Sequence, residues 1–136
     1  MHILVDTSVW SMALRKTKLS TYEEKVINYF SEIIRNLNLV IIGPIRQEIL
    51  SGISNKGRFE ELKDKLSVFV DHPIETNDYE LAAELFNDCR SKGIQGSHID
   101  FIICAISINK NIDIFTLDKD FDNYKMIVPI RLIKIA

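Results

Sequence analysis

Cysteine is scarce in this sequence, with only two among 136 residues, Cys89 and Cys104. Both stand among apolar residues at helical spacing, and the sequence has no Cys/His spacing of the kind that binds zinc. A disulfide framework and a structural zinc site are therefore not predicted. We expect both thiols to be small side chains of the core.

Long apolar runs are absent as well. No stretch approaches the ~20 apolar residues that span a membrane. The N-terminal segment MHILVDTSVW has neither a basic region nor a small-residue cleavage site. Linkers, repeats and low-complexity segments are also lacking. We therefore expect no membrane segment, no signal peptide, a cytoplasmic location and one domain over residues 1–136.

The chain also lacks a basic excess, because its formal net charge is −2. This balance at first argues against a nucleic-acid partner. However, four acidic residues described below are candidates for cation binding, and without them the remaining charge is −2 + 4 = +2. Since bound cations would neutralise these acids, the net charge neither supports nor excludes an RNA partner.

What the sequence does contain is an alternation of strand and helix patterns. Apolar, β-branched runs predict strands at Ile3–Val5, Leu39–Ile42, Val68–Val70, Asp113–Thr116, Met126–Val128 and Arg131–Ile135. Amphipathic spacing predicts helices over Ser8–Leu14, capped by Thr7 or Ser8, over Tyr22–Leu37, from Pro44 to Ile53, around Phe59–Leu66, over Asn77–Lys92 and from Ser97 onward. Such alternation predicts an α/β domain with a mostly parallel central sheet.

Four acidic residues lie where this topology predicts the carboxyl edge of the sheet. Asp6 and Asp118 follow predicted strands, and Glu48 and Asp100 lie in the first turns of predicted helices. Ligands bind at that edge in open α/β sheets. Two carboxylates 4 Å apart repel by about 4 kcal/mol at an effective dielectric near 20, so a cluster needs protons or cations.

Carboxylate oxygens favour the hard cations Mg²⁺ and Mn²⁺. Cations held in this way activate water and polarise phosphoryl oxygens, so the natural substrate is a phosphodiester. The four acids together therefore predict a metal-dependent nuclease.

Each acid also has a structural interpretation, which the sequence leaves open. Asp6 is in position to cap the next helix, and Glu48 to be a solvated helix residue. Asp100 is in position to complete a capping box with Ser97. The alternating acids of residues 118–122 are typical of a polar loop. Only the joint occurrence of the acids at equivalent edges favours the catalytic interpretation.

Four segments carry these acids in order along the chain. They are ILVDTSVW with Asp6 and Ser8, IRQEILSG with Glu48, HIDFIICAIS with Asp100, and IFTLDKDF with Thr116, Asp118 and Asp120. Together they resemble the motifs of the PIN-domain ribonucleases, particularly the VapC-type toxins of toxin–antitoxin pairs. The resemblance spans essentially the whole chain.

The resemblance implies a PIN-like three-layer sandwich in which helices flank a mostly parallel sheet. It implies an endoribonuclease that depends on Mg²⁺ or Mn²⁺, with products carrying a 5′-phosphate and a 3′-hydroxyl. It also implies a homodimer and inhibition by a cognate antitoxin protein, part of which would cover the acidic groove.

The resemblance also suggests roles for individual residues. Asp6 and Asp100 would hold the principal cation, with Asp118 bound directly or through water, while Glu48 would hold a second cation or orient the attacking water. Auxiliary candidates that would fix or supplement the carboxylates are Ser8, Thr116 and Asp120. The sequence leaves open whether Asp118 or Asp120 faces the cation, because the two side chains point to opposite sides in an extended segment but not in a turn.

Substrate contacts are less sharply indicated. Basic candidates for contacting RNA phosphates are Arg15, Lys16, Lys18 and Arg46, each of which is also compatible with an ordinary solvated surface. We expect Trp10 to be a core or dimer-contact residue rather than a base-stacking one. His98 lies near Asp100 but has no acid–base partner at a recognisable spacing.

Other functions of α/β domains fit these residues less well. An aspartate-nucleophile phosphohydrolase also has an Asp after its first strand, but it needs a second Asp two positions on, where this chain has Ser8. A phospho-receiver domain would need paired acids near the first strand and an acceptor Asp after a middle strand, which are not evident. A catalytically silent RNA- or protein-binding module remains the non-enzymatic alternative.

Overall fold

The computed structural model describes residues 1–15 and 18–135. Its strands are β1 (Ile3–Val5), β2 (Leu39–Val40) and β3 (Asp113–Phe115). Its helices are α1 (Thr7–Leu14), α2 (Thr21–Arg35), α3 (Gly43–Ser51), α4 (Lys56–Leu66), α5 (Thr76–Ser91), α6 (His98–Lys110) and α7 (Asp120–Lys125). Among these helices, none is both long and apolar enough to cross a membrane.

The three strands form a parallel sheet in the order β2-β1-β3. The central strand β1 pairs Ile3 with Leu39 on one side and with Asp113 on the other. Because all the strands run the same way, their carboxyl ends meet at one edge, which we call the acidic edge after the side chains described below. The parallel sheet flanked by helices confirms the predicted α/β fold.

The core lies between this sheet and the helices. All three residues of β1 are fully buried, as expected for the central strand of a sheet covered on both faces. Helix α6 contributes a continuous buried stretch from Ile103 to Ser107. Cys89 and Cys104 are buried free thiols in this core, as predicted. Burial raises the pKa of both thiols, which keeps them in the unreactive protonated form.

The strand predicted at Val68–Val70 is not formed. These residues follow α4 in a turn, in which the Phe69 N–H donates to the Leu66 carbonyl at 3.1 Å. Val68 and Val70 are 74% and 88% exposed. The strand prediction from this β-branched run was therefore wrong. The neighbouring residue Asp71 forms a single parallel bridge with Ile41.

The two closing strands predicted near the C-terminus are also wrong as regular strands. Residues Met126–Val128 form a turn after α7, where the N–H groups of Ile127 and Val128 both donate to the Tyr124 carbonyl. Within Arg131–Ile135, Leu132 forms one isolated parallel bridge with Ile114. This segment therefore covers the open side of β3 without extending the sheet as a full strand.

Candidate active site

Asp6 is positioned by the end of β1. Its N–H donates to the Phe115 carbonyl at 2.9 Å, which holds it beside β3. Asp6 is the N-cap residue of α1, one position before Thr7 and two before Ser8, the predicted caps, but its side chain makes no capping hydrogen bond. The buried carboxylate accepts hydrogen bonds from side-chain hydroxyls instead. The capping interpretation therefore does not describe what this carboxylate does.

The hydroxyls of Ser8 and Thr116 both donate to Oδ2 of Asp6, each at 2.8 Å. These hydroxyls are themselves fixed by backbone donors from the turn after β3. The Leu117 N–H donates to Ser8 Oγ at 2.9 Å, and the Asp118 N–H donates to Thr116 Oγ1 at 3.0 Å. One hydrogen-bonded chain thus joins the first and fourth motifs and orients the Asp6 carboxylate, leaving Oδ1 as the oxygen for a further ligand.

Glu48 lies on the second turn of α3 and is exposed. Its Oε1 accepts a hydrogen bond from the Thr7 hydroxyl at 2.8 Å. Thr7 directly follows Asp6, so this bond brings the second motif next to the first.

Asp100 lies in the first turn of α6, whose N-cap is Ser97. The Asp100 N–H donates to Ser97 Oγ at 3.1 Å, while the Asp100 carboxylate accepts from the Tyr124 hydroxyl at 2.6 Å. The carboxylate is therefore not used to close a capping box. Burial raises the pKa of Asp100, the hydrogen bonds from Tyr124 and Ser97 oppose the shift, and the charges of Asp6 and Asp118 add to it.

Asp118 and Asp120 face the same way because the chain turns between them. The Asp120 N–H donates to Oδ1 of Asp118 at 2.9 Å. One carboxylate oxygen from each of Asp100, Asp118 and Asp120 lies within 4.8 Å of the other two. The turn therefore brings both acids of the fourth motif to Asp100, instead of one or the other.

Without a bound cation, the carboxylates of this cluster repel one another. At 4.8 Å and an effective dielectric near 20, two full negative charges repel by about 3 kcal/mol before screening by solvent. The pKa of Asp100 is raised mainly by burial and to a smaller extent by the neighbouring negative charges. A divalent cation would replace the repulsion with attraction.

The predicted phosphate-contacting residues differ in what they do. Arg46 donates to Asp71 and to the carbonyls of Leu66 and Phe69 at 2.7–3.0 Å, so its guanidinium ties α3 to the turn after α4. Arg15 is half-exposed and pairs with Glu23 at 3.1 Å. Lys18 is exposed, and Lys16 lies outside the described residues.

Two aromatic candidates have packing roles. Trp10 is 4% exposed and packs edge-on against Phe30 and Phe69, in agreement with the expected core position. His98 stacks on the Phe86 ring at a centroid distance of 5.0 Å.

Sequence reasoning missed Thr7 and Tyr124, the hydrogen-bond donors to Glu48 and Asp100. Thr7 was visible within the first motif, between Asp6 and Ser8. Tyr124 had no such signal, because it lies 24 residues from its partner in a segment without a recognised motif.

The family model for the PIN domain matches residues 3–126 of the chain. The chain belongs to the PIN domain family. PIN domains are generally nucleases. The match includes all the acids described above, and it agrees with the resemblance seen in the four motifs. A comparison with curated proteins gives no significant match.

Solved structures share the fold of this PIN domain. VapBC2 from Rickettsia felis, bound to a DNA fragment from their promoter, is 18% identical with a TM-score of 0.78, and the alignment covers 100% of both chains. FitAcB from Neisseria gonorrhoeae is 17% identical with a TM-score of 0.77, covering 97% of this chain and 96% of that one. FitAB bound to an IR36 DNA fragment is 16% identical with a TM-score of 0.74, covering 96% and 93%.

Proposed function

We propose that this PIN domain, a single domain over residues 1–136, is an endoribonuclease that requires Mg²⁺ or Mn²⁺ and is the toxin of a type II toxin–antitoxin pair. The observation that carries the proposal is the convergence at the acidic edge. There hydrogen bonds from hydroxyl groups hold the carboxylates of Asp6, after β1, and of Glu48, on α3, while Asp100, Asp118 and Asp120 form one carboxylate group.

The donor set fits a hard divalent cation. Two oxygens bound to one Mg²⁺ at ~2.1 Å lie at most about 4.2 Å apart. Separations of up to 4.8 Å in the group of three therefore need only a small inward rotation of the carboxylates, or one bridging water. The set consists entirely of oxygen donors, which suits Mg²⁺ or Mn²⁺ better than a thiophilic metal.

Asp6 and Asp100 are the proposed principal ligands, because a hydrogen bond fixes one oxygen of each carboxylate and leaves the other for a cation. Asp118, whose Oδ1 is held by the Asp120 N–H, would bind directly or through water. Glu48, held by Thr7, would orient a water for in-line attack on phosphorus or help to hold a second ion. When bound, the cation would polarise the phosphoryl oxygen and lower the pKa of the attacking water.

RNA is the proposed substrate because the cluster suits a phosphodiester and the family resemblance points to ribonucleases. Arg15, Lys16 and Lys18 are the proposed phosphate contacts, of which Arg15 would exchange its Glu23 partner for a phosphate. Each of the three guanidinium nitrogens of Arg46 donates a hydrogen bond to a protein group, so we do not propose Arg46 as a phosphate contact.

Structures of the same fold that are described as VapBC and FitAB complexes support a protein partner for this chain. We propose a cognate antitoxin that covers the acidic edge, a homodimeric assembly, and a cytoplasmic location where RNA is available. Co-purification with a small protein encoded by the adjacent gene is the expected result for the antitoxin. A monomeric enzyme that no neighbouring gene product inhibits would contradict this part.

The function is tested with purified protein, RNA and DNA substrates, and Mg²⁺, Mn²⁺ or EDTA. RNA cleavage that EDTA abolishes is expected, together with its loss in Asp100→Asn. Undiminished cleavage in EDTA would contradict the metal requirement. Cleavage of DNA alone would contradict the substrate, and the absence of any cleavage or Mg²⁺-linked stabilisation would favour the silent binding module.

A further inference from the structure

Tyr124 is a buried tyrosine whose polar end reaches the acidic edge. Its ring is 0% exposed and packs against Phe101 and Phe121 at centroid distances of 4.9 and 5.1 Å. A buried tyrosine hydroxyl needs a hydrogen-bond partner. Here the partner is Oδ2 of Asp100 at 2.6 Å, so the hydroxyl donates to a proposed metal ligand.

The backbone at Gly96 makes room for this hydroxyl. A Cβ added at Gly96 would lie 2.3 Å from the Tyr124 hydroxyl oxygen and 2.7 Å from its Cζ. The φ angle of Gly96 is not in the left-handed region, so the requirement for glycine is one of space. Gly96 directly precedes Ser97, the residue that caps the helix of Asp100. Thus Gly96 admits the tyrosine at the same point where Ser97 fixes the start of α6.

The hydrogen bond joins two elements that carry different acids. Asp100 is in the first turn of α6, and Tyr124 is on α7, one turn beyond Asp120. The tyrosine therefore links the helix that carries the third motif to the helix that begins within the fourth. The separation between Asp100 and the pair Asp118 and Asp120 depends on how these helices are held together.

We infer that Tyr124 is a positioning residue that orients Asp100 for cation binding and sets its distance from Asp118 and Asp120, with Gly96 providing the space it needs. The bond occupies Oδ2 and directs Oδ1 of Asp100 to the cation. This inference rests on the proposed function, because it assumes that the carboxylates bind a divalent cation.

Tyr124→Phe is the decisive variant, because it keeps the packed ring and removes only the hydroxyl. The matched control is Tyr79→Phe, which makes the same chemical change at a half-exposed tyrosine of α5. Titration with MnCl2 in a calorimeter, without RNA, measures cation affinity directly. We expect Tyr124→Phe to weaken Mn²⁺ binding by roughly 10- to 100-fold, the usual effect of losing a partner that orients a ligand. Tyr79→Phe should bind like the unmodified protein.

A second readout separates positioning from packing. Raising the Mn²⁺ concentration should restore the RNA cleavage rate of Tyr124→Phe toward that of the unmodified protein, because the defect lies in cation binding. A purely structural role predicts lower unfolding temperature but unchanged Mn²⁺ affinity of the folded protein. Gly96→Ala should weaken Mn²⁺ binding in the same direction, whereas Gly52→Ala, at a glycine with open space around it, should not.

Unchanged Mn²⁺ affinity in both Tyr124→Phe and Gly96→Ala would overturn the inference and leave the proposed function intact. If the unmodified protein binds Mn²⁺ but cleaves no RNA, the nuclease proposal fails while the affinity comparison still decides the role of Tyr124. If the unmodified protein binds neither Mn²⁺ nor Mg²⁺, both the metal-dependent function and the inference are contradicted.

Discussion

Asp78 and Asp6 are both buried aspartates, yet their surroundings differ in a way that separates structure from chemistry. Asp78 is fully buried, and each of its oxygens has a donor: the Glu75 N–H reaches Oδ2 at 2.9 Å and the Asn109 amide reaches Oδ1 at 2.8 Å. Asp6 receives both of its hydroxyl bonds at Oδ2. The Asp78 carboxylate therefore uses both oxygens to join elements, whereas the Asp6 carboxylate keeps Oδ1 for a ligand.

Helix α6 contacts the structural aspartate Asp78 at one end and carries the proposed ligand Asp100 at the other. Asn109, the partner of Asp78, is in its last turn, and Asp100 is in its first, which places them ~13 Å apart along the axis. The Asp78 end fastens α6 to α5, and the Asp100 end meets the acids of the fourth motif. The two ends should therefore respond differently to the loss of a carboxylate charge.

The largest expected effect is on catalysis at the acidic edge. Asp6→Asn should reduce RNA cleavage by at least about 1000-fold, because a cation supplies several kcal/mol of transition-state stabilisation and each ~1.4 kcal/mol is tenfold. Asp78→Asn is the matched control and should keep the rate of its folded fraction. Single-turnover cleavage rates of the two variants should be compared at saturating Mg²⁺. Full activity in Asp6→Asn would contradict the catalytic role of Asp6.

The opposite pattern is expected for stability. Asp78→Ala leaves the Glu75 N–H and the Asn109 amide without their acceptor, so the free energy of unfolding should fall by about 3 kcal/mol. Urea denaturation in EDTA measures this, with Asp6→Asn expected to change by less than ~1 kcal/mol, since an amide oxygen still accepts from the hydroxyls. Equal stability losses in the two variants would remove the distinction.

A smaller effect is expected from the hydroxyl that orients Asp6. Ser8→Ala removes a donor to Asp6 and an acceptor for the Leu117 N–H, and should weaken Mn²⁺ binding by roughly 10-fold or more. Ser11→Ala, at an exposed position of the same helix, provides the control. Calorimetric titration would contradict this role if Ser8→Ala bound Mn²⁺ as tightly as Ser11→Ala.

The smallest effect concerns pH and the metal-free protein. Because the pKa of Asp100 is raised by folding, its protonation favours the folded state, and this contribution is lost as the pH rises through the folded-state value. At neutral pH in EDTA, Asp100→Asn should therefore be slightly more stable than the unmodified protein. The difference should shrink as the pH falls toward about 4, near the ordinary aspartate pKa. Denaturation midpoints that diverge on acidification would contradict this sign.

Local patterns predicted most of what places the site. The runs at Ile3–Val5 and Asp113–Thr116 gave strands that end at Asp6 and near Asp118, because their apolar residues suit a covered parallel sheet. The same signal failed at Val68–Val70, where the two valines are exposed and only Phe69 packs inward. The composition of a short segment does not show whether a neighbouring strand is available to pair with it.

Contacts between distant segments could not be predicted from the sequence. The turn that brings Asp118 and Asp120 to the same side depends on backbone geometry that their alternating pattern does not specify. The bond from Tyr124 to Asp100 depends on how α7 packs beside α6 and on the space left at Gly96. Such arrangements follow from packing between elements, which a single sequence does not show.

The most direct test of the central claim is the anomalous diffraction of Mn²⁺ in crystals of the unmodified protein soaked in MnCl2. We expect a peak about 2.1–2.3 Å from carboxylate oxygens of Asp6 and Asp100, with Asp118 in direct or water-bridged contact. Soaked crystals of Asp100→Asn should lack this peak. An acidic edge without Mn²⁺ at millimolar concentrations, or a peak elsewhere on the surface alone, would contradict the assignment of these carboxylates to a metal-dependent nuclease site.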